Sequence, residues 1–390
     1  MLGLLALAEV LGMSLWFSAS AVSGQYRALW HLTPGEAGWL TTSVQLGFVV
    51  GTAGAAILNL ADIISSRWYF AVSALLGAAA NTALGWAADY PTALACRFAT
   101  GVFLAGVYPP AMKMAATWFR SDRGLAIGVI VASLTVGKAM PYLVRSVEPG
   151  GVRGVVLAAS AGALISALLV GLGYRDGPFE FPRRPFSWHL VAGVVRHRET
   201  RLATGGYLGH MWELYAMWTW VPAFLAASVA ASASEVSPST VSVLAFAAIA
   251  TGGAGAVWGG RAARRLGYAR VVTLAMTISG ICSLVVGLLF GRSLWLLAPV
   301  VLVWGFFVVA DSAQFSAMVT ELSPPHAVGT ALTLQTSLGF LLTMVTIQLI
   351  PVLVTLVGWP LAFPVLALGP AAGIASIRLL GPRFAPAAHP

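Results

Sequence analysis

The chain has 390 residues, of which 58% are hydrophobic and only 9% charged, with a mean hydropathy of +0.85. A water-soluble domain needs far more polar surface, so this composition calls for a membrane as solvent. The net charge of +9 implies no nucleic-acid partner, because the arginines follow the membrane segments rather than a basic domain.

A helix needs roughly 20 apolar residues to cross the hydrocarbon core, and twelve stretches qualify. The first, 2–22, is not a signal peptide: Glu9 interrupts it and no basic residue precedes the apolar run. The second (37–57) and third (68–88) flank the loop LNLADIISSR (58–67). The fourth, 92–117, holds Arg97, Gly101 and Gly106, then Pro109-Pro110 and Lys113. Neither proline offers an amide hydrogen, so the helix is disturbed there, either as a plain kink or with freed carbonyls facing a cavity. Arg97 lies eight residues past Asp89 and reads as a structural ion pair or an outer gate rather than as a primary substrate contact.

After WFRSDRGLAIG (118–128) comes the fifth span, 124–145, with Lys138, and then the sixth, 153–173. Lys113 and Lys138 are the only lysines, against twenty arginines. A cation in lipid costs several kcal/mol unless it faces a partner, a cavity or an interface. Lys138 is seven residues from Arg145, roughly 10 Å in along a helix. Thr135, Lys138 and Tyr142 share a face, a polar stripe suited to a solute carboxylate or phosphate; outward snorkelling is the alternative. Lys113 is as close to Arg120, so snorkelling and a cavity role compete evenly there.

The polar segment 174–203 divides the spans six and six. Its stretch 187–203 reads as a short helix on the membrane surface or as a plain linker. Spans follow at 204–228, 238–259, 270–291, 294–318, 327–350 and 358–379. The glycines of 252–260 lie within the eighth span and serve close helix packing rather than phosphate binding. Cys96 and Cys282 are both intramembrane and say nothing about compartment.

With the N-terminus inside, fifteen arginines fall in inside segments and only Arg27, Arg145, Arg153 and Arg292 outside. This bias predicts a cytoplasmic-membrane protein with both termini cytoplasmic.

The halves resemble each other. In AEVLGMSLWFSA (8–19) and WELYAMWTWVPA (212–223), Glu9 matches Glu213, Met13 matches Met217 and Trp16 matches Trp220. On a continuous helix these offsets place Glu, Met and Trp on one face. Glu213 lies roughly 18 Å beyond Arg201, and Asp311 roughly 15 Å from Glu321. An ionised carboxylate at such depth is costly unless paired and otherwise takes up a proton. Glu9, Glu213 and Asp311 are therefore candidates for proton coupling, with His210 as a relay; hydrogen-bonded structural roles are the alternative. Trp304, Asp311 and Gln314 share a face of the tenth span, and Gln335 and Thr336 lie on the eleventh. No P-loop or metal-ligand spacing is present, so the sequence predicts no cofactor, no metal and no enzymatic activity.

With twelve spans, a six-plus-six division and a basic central loop, the chain resembles the major facilitator superfamily along its whole length. Leu60, Ala61, Asp62 and Arg67 resemble a degraded form of that family's signature loop. Gly260, Arg265, Gly267 and Arg270 repeat it, with Arg264 where the acidic residue would fall, and Arg97, Gly101 and Gly106 match the span-four pattern. The 118–128 junction is similar to that of the organic-anion and cyanate-permease-like branches. The resemblance implies an all-α membrane protein with twelve transmembrane helices in two pseudo-symmetric six-helix bundles, 1–173 and 204–390, joined by the basic linker. It implies alternating access, with gating or structural roles for Asp62, Arg67, Arg97, Gly101, Gly106, Gly260, Arg265 and Gly267. Two patterns are missing: Lys138 replaces the proline of the drug-antiporter motif, and neither 37–57 nor 238–259 holds the arginine of nitrate porters.

These readings predict a monomeric, proton-coupled symporter of a small organic anion. Lys138, Lys113, Tyr142, Trp16, Trp220, Gln314 and Arg97 are its candidate substrate contacts. A proton-driven exporter of drugs or other amphipathic compounds is the alternative; a non-transporting sensor or intramembrane enzyme ranks last.

Overall fold

A backbone surrounded by lipid must satisfy its hydrogen bonds within each segment, and the described regular elements are all helical. The computed structural model describes residues 1–119, 123–147, 151–179, 186–232 and 235–381. The Asp62 and Arg123 side chains and residues Arg120, Arg183, Arg184 and Arg383, used above for motif and charge bias, lie outside the described part.

Among the described residues, ten helices are long and apolar enough to cross a membrane: Pro34–Ile57, Tyr90–Ala116, Leu125–Val147, Gly151–Gly173, Arg198–Ala231, Pro238–Leu266, Tyr268–Leu289, Leu294–Leu322, Pro325–Val357 and Trp359–Arg378. The expected third span is the 19-residue helix Ser66–Leu84. The first is not one helix. It runs as Leu2–Met13, a turn, Ser18–Ala21 and Ser23–Trp30. The seventh begins at Arg198, earlier than the expected 204, after the short helix Trp188–Arg196.

The packing repeats. In the first six spans the main pairs are 2 with 4, 3 with 6, 3 with 4, 1 with 6 and 1 with 5. The last six reproduce each pair: 8 with 10, 9 with 12, 9 with 10, 7 with 12 and 7 with 11. Across the halves, span 5 lies on span 8 and span 2 on span 11, two contacts that the same symmetry exchanges. Breaks repeat too: span 4 is interrupted at residues 105–107 and span 10 at Asp311. The prolines of span 4 sit in the first turn of Tyr108–Ala116, just after the interruption, where a missing amide hydrogen costs little.

Close approach explains several glycines. A Cβ on Gly101 would lie 2.8 Å from the Val44 carbonyl carbon, and one on Gly255 would lie 3.0 Å from that of Phe306. Spans 2 and 4, and their counterparts 8 and 10, thus touch backbone to backbone, as small residues permit in lipid. Gly267, at φ 80°, turns the chain between spans 8 and 9. Gly101→Leu is expected to overpack the 2–4 contact and cost about 1–3 kcal/mol or more, read as a lowered melting temperature of the purified protein.

Span 4 begins on a capped end. The Thr92 amide donates to Asp89 Oδ1 at 2.8 Å. The Thr92 hydrogen bonds hold the Asp89 carboxyl below its ordinary range. Because the folded-state value is the lower one, the cap stabilises above the unfolded value and is lost as pH falls through the folded one. The melting temperature of Asp89→Ala should fall below wild type at neutral pH, with the difference shrinking in acid.

Candidate functional site

The break in span 1 releases backbone carbonyls inside the bundle, where an unmet acceptor is costly. Arg97 of span 4, fully buried, meets them. Its Nη1 donates to the Leu15 carbonyl at 2.9 Å and to Ser18 Oγ at 3.2 Å. Its Nη2 donates to the Trp16 carbonyl, and its Nε to that of Leu40 in span 2 at 3.1 Å. Asn81 of span 3 joins through Ser18 and anchors to the Val156 carbonyl and Ser160 on span 6. The expected ion pair with Asp89 does not form, since that carboxylate caps its own helix. Arg97 is engaged by the protein and holds span 1 in its broken shape.

That break also corrects the face argument. The register of Glu9, Met13 and Trp16 assumed a continuous helix, but the first helix ends at Met13. Trp16 turns instead toward Lys138 of span 5. The Lys138 Nζ lies 3.9 Å from the Trp16 ring centroid, 4.7 Å from Tyr215 and 5.3 Å from Trp218. It also donates a hydrogen bond to the Tyr215 hydroxyl. The ammonium is buried, so it does not snorkel to an interface. Each ring lies within the roughly 6 Å over which a cation is attracted to a π face. Phe48 of span 2 and Phe340 of span 11 pack on Trp16 at 5.1 and 5.8 Å, extending the aromatic surround across both halves.

Glu9 lies on the facing side of span 1, within electrostatic reach of Lys138 and of Tyr108. The two spans approach closely here: a Cβ on Gly137 would lie 3.0 Å from the Val10 Cα. Glu9 is fully buried, and neither carboxyl oxygen has a hydrogen-bond partner among the described residues. The Trp16 and Trp218 indole nitrogens beside the lysine are equally unpartnered.

The matching glutamate is built differently. Glu213 accepts from Ser279 Oγ at 2.8 Å and from Trp304 Nε1 at 2.7 Å, one donor on each oxygen. Nearby, His210 Nδ1 lies 2.8 Å from Asp311 Oδ1, and its Nε2 is 3.1 Å from Ser312 Oγ. Two residues chosen separately in the sequence thus form one buried pair at the span 10 break.

Other predicted residues scatter. Tyr142 is buried on the Lys138 face, with Phe17 6.4 Å from its ring. Trp220 donates to the Ile347 carbonyl at 2.8 Å and lies tilted against Trp359, their ring centroids 6.5 Å apart, outside the rings around Lys138. Gln314 donates to the Ala310 carbonyl at 3.1 Å. Lys113 is half-buried on the last part of span 4. Gly106 faces Ser73, Arg67 donates to the Gly171 carbonyl at 2.8 Å, Gly260 has open space beside it and Arg265 is exposed. Tyr215, Trp218, Tyr108, Phe48 and Phe340 were not singled out in the sequence; the aromatic density of YAMWTW (215–220) was the only signal.

A model of the major facilitator superfamily matches residues 4–234. The chain belongs to this superfamily. Like its other members it is a multi-pass secondary transporter of a small molecule and not an enzyme. A crystal structure of a mutant form of the nucleoside transporter NupG superposes with a TM-score of 0.72 over 97% of this chain and 99% of that one, at 15% identity. At that identity the likeness shows the superfamily fold alone. No curated protein matches the sequence. Within this superfamily member, Trp304→Phe should leave Glu213 with one donor. The expected destabilisation is about 1–3 kcal/mol, read by thermal melting.

Proposed function

We propose that this carrier moves a small organic anion together with a proton, by alternating access. The observation that carries the reading is the buried Lys138 ammonium, held between the halves with no carboxylate at ion-pair distance among the described residues, beside a Glu9 carboxyl without a hydrogen bond. Without substrate, Glu9⁻ and Lys138⁺ compensate each other through space. A substrate carboxylate reaching Lys138 replaces Glu9 as counter-charge, and the displaced glutamate takes up a proton. The core is then neutral in both states, Glu9⁻ with Lys138⁺ or neutral Glu9 with Lys138⁺ and the bound anion. Neutrality matters because an uncompensated ion inside the bundle costs several kcal/mol. One anion and one proton then cross together.

Symmetry-related bundles, roughly residues 1–173 and 204–390, would rock about this point, as repeats do around a midplane site. The two-sided contact of Lys138, with Trp16 in one half and Tyr215 and Trp218 in the other, is what must reorganise. The arginine-rich face is read as cytoplasmic, so the proton gradient drives uptake. Glu213, with both oxygens bonded, is a structural element of the second half in this scheme, and the His210–Asp311 pair supports span 10. The aromatic surround also favours an amphipathic solute, and export of such compounds is the second reading. It requires proton-driven flux in the opposite direction.

Two variants test the scheme. Lys138→Ala should abolish the thermal stabilisation given by small carboxylates, screened as a panel on the purified protein; unchanged stabilisation would remove the lysine from the site. Glu9→Gln should retain exchange of labelled substrate across proteoliposomes while losing accumulation driven by a pH gradient. Normal accumulation would take the coupling role from Glu9.

A further inference from the structure

Span 5 carries a second cation, Arg145, beyond Lys138. Lys138, Tyr142 and Arg145 follow at i, i+4 and i+7 on span 5, so they share one face and climb roughly 10 Å toward the face opposite the arginine-rich one. Tyr142 and Arg145 line a half-open cleft of about 210 Å³, closed on its other sides by Pro222 and Ala226 of span 7 and Val241 and Ser242 of span 8. The cleft therefore lies between the halves, with span 5 from one and spans 7 and 8 from the other.

Its chemistry is uneven. The walls are mostly alanine, valine and proline, and Arg145 is the only charged residue among those lining it. Arg145 is half-buried and donates through Nη1 to the Ala21 carbonyl. It makes no other hydrogen bond or ion pair among the described residues. A guanidinium has five N–H donors in a planar fork suited to a carboxylate, and the described residues take up only one of them. Along this face Tyr142 falls between Arg145 and Lys138 and lies within electrostatic reach of Arg145.

We infer that this cleft is a vestibule subsite that receives a small carboxylate with an aliphatic body, Arg145 holding the carboxylate and the apolar walls the chain, before transfer past Tyr142 to Lys138. This inference rests on the anion reading for the direction of transfer, but the subsite itself does not depend on Lys138.

Binding of 3-methylbutanoate to the full-length purified protein, measured by equilibrium dialysis, tests it. Lys138→Met should keep a weaker, salt-sensitive site, and adding Arg145→Gln should weaken it at least tenfold. Lys138→Met with Arg145→Lys should retain it, which controls for folding along with an unchanged melting curve. Loss of all binding in Lys138→Met, undiminished binding in the double variant, or no binding to wild type would each overturn the subsite. So would displacement of the acid from Arg145 by phosphatidylglycerol, which would make the cleft a lipid site. If Lys138→Met instead binds as tightly as wild type and the double variant does not, the vestibule stands and the central site falls.

Discussion

A lysine inside a membrane bundle must find polar or aromatic company, and Lys138 finds it in three aromatic faces and the Tyr215 hydroxyl, with Glu9 within electrostatic reach. Several features of the bundle centre serve that arrangement. Trp16 reaches the lysine because span 1 is broken after Met13. The break is tolerable because Arg97 and Asn81 meet the polar groups around it. A buried arginine in span 4 thereby shapes the surroundings of Lys138 through backbone carbonyls of span 1. Cation–π contacts supply attraction without a fixed counter-ion, which leaves the lysine able to accept a stronger one.

The two glutamates show how a repeat diverges. Both occupy the same place in related halves, and both are buried. Ser279 and Trp304 give each oxygen of Glu213 one donor, whereas Glu9 has no such donors among the described residues. A carboxylate with two donors is stabilised where it stands; one without them responds to whichever charge is near. The asymmetry is one of hydrogen bonding on a shared architecture: the second half holds its glutamate between two donors, and the first half leaves its own without one among the described residues. Their contacts along spans 5–8 and 2–11 provide surfaces on which they can move past each other.

Much of this was legible in the sequence, and what was not has a physical reason. Apolar run lengths showed the spans, because hydrocarbon thickness is a constraint on local composition. The burial of Glu213, Lys138 and Asp311 agrees with their distance from the span ends by helical rise, and that of Glu9 with its match to Glu213. The span 1 break did not, since LGMSLWFS carries no proline and its cause is Arg97, some eighty residues away. The Arg97–Asp89 pair failed for a local reason: Asp89 is three residues before Thr92 and caps the helix instead. His210 and Asp311 were each visible, but their pairing needs spans 7 and 10 side by side. Tyr215 and Trp218 stayed hidden because aromatic residues are common in every span, and only packing tells a cage from a lipid-facing belt.

In the proposed cycle one buried charge compensates another during transport. Charge movement measured on proteoliposomes adsorbed to a solid-supported membrane tests it most directly, alongside proton uptake reported by a dye in the bath. An anion that enters with one proton and no net current is the predicted result. Negative charge carried inward without proton consumption would contradict it, because Lys138 would then bind substrate while Glu9 kept its charge.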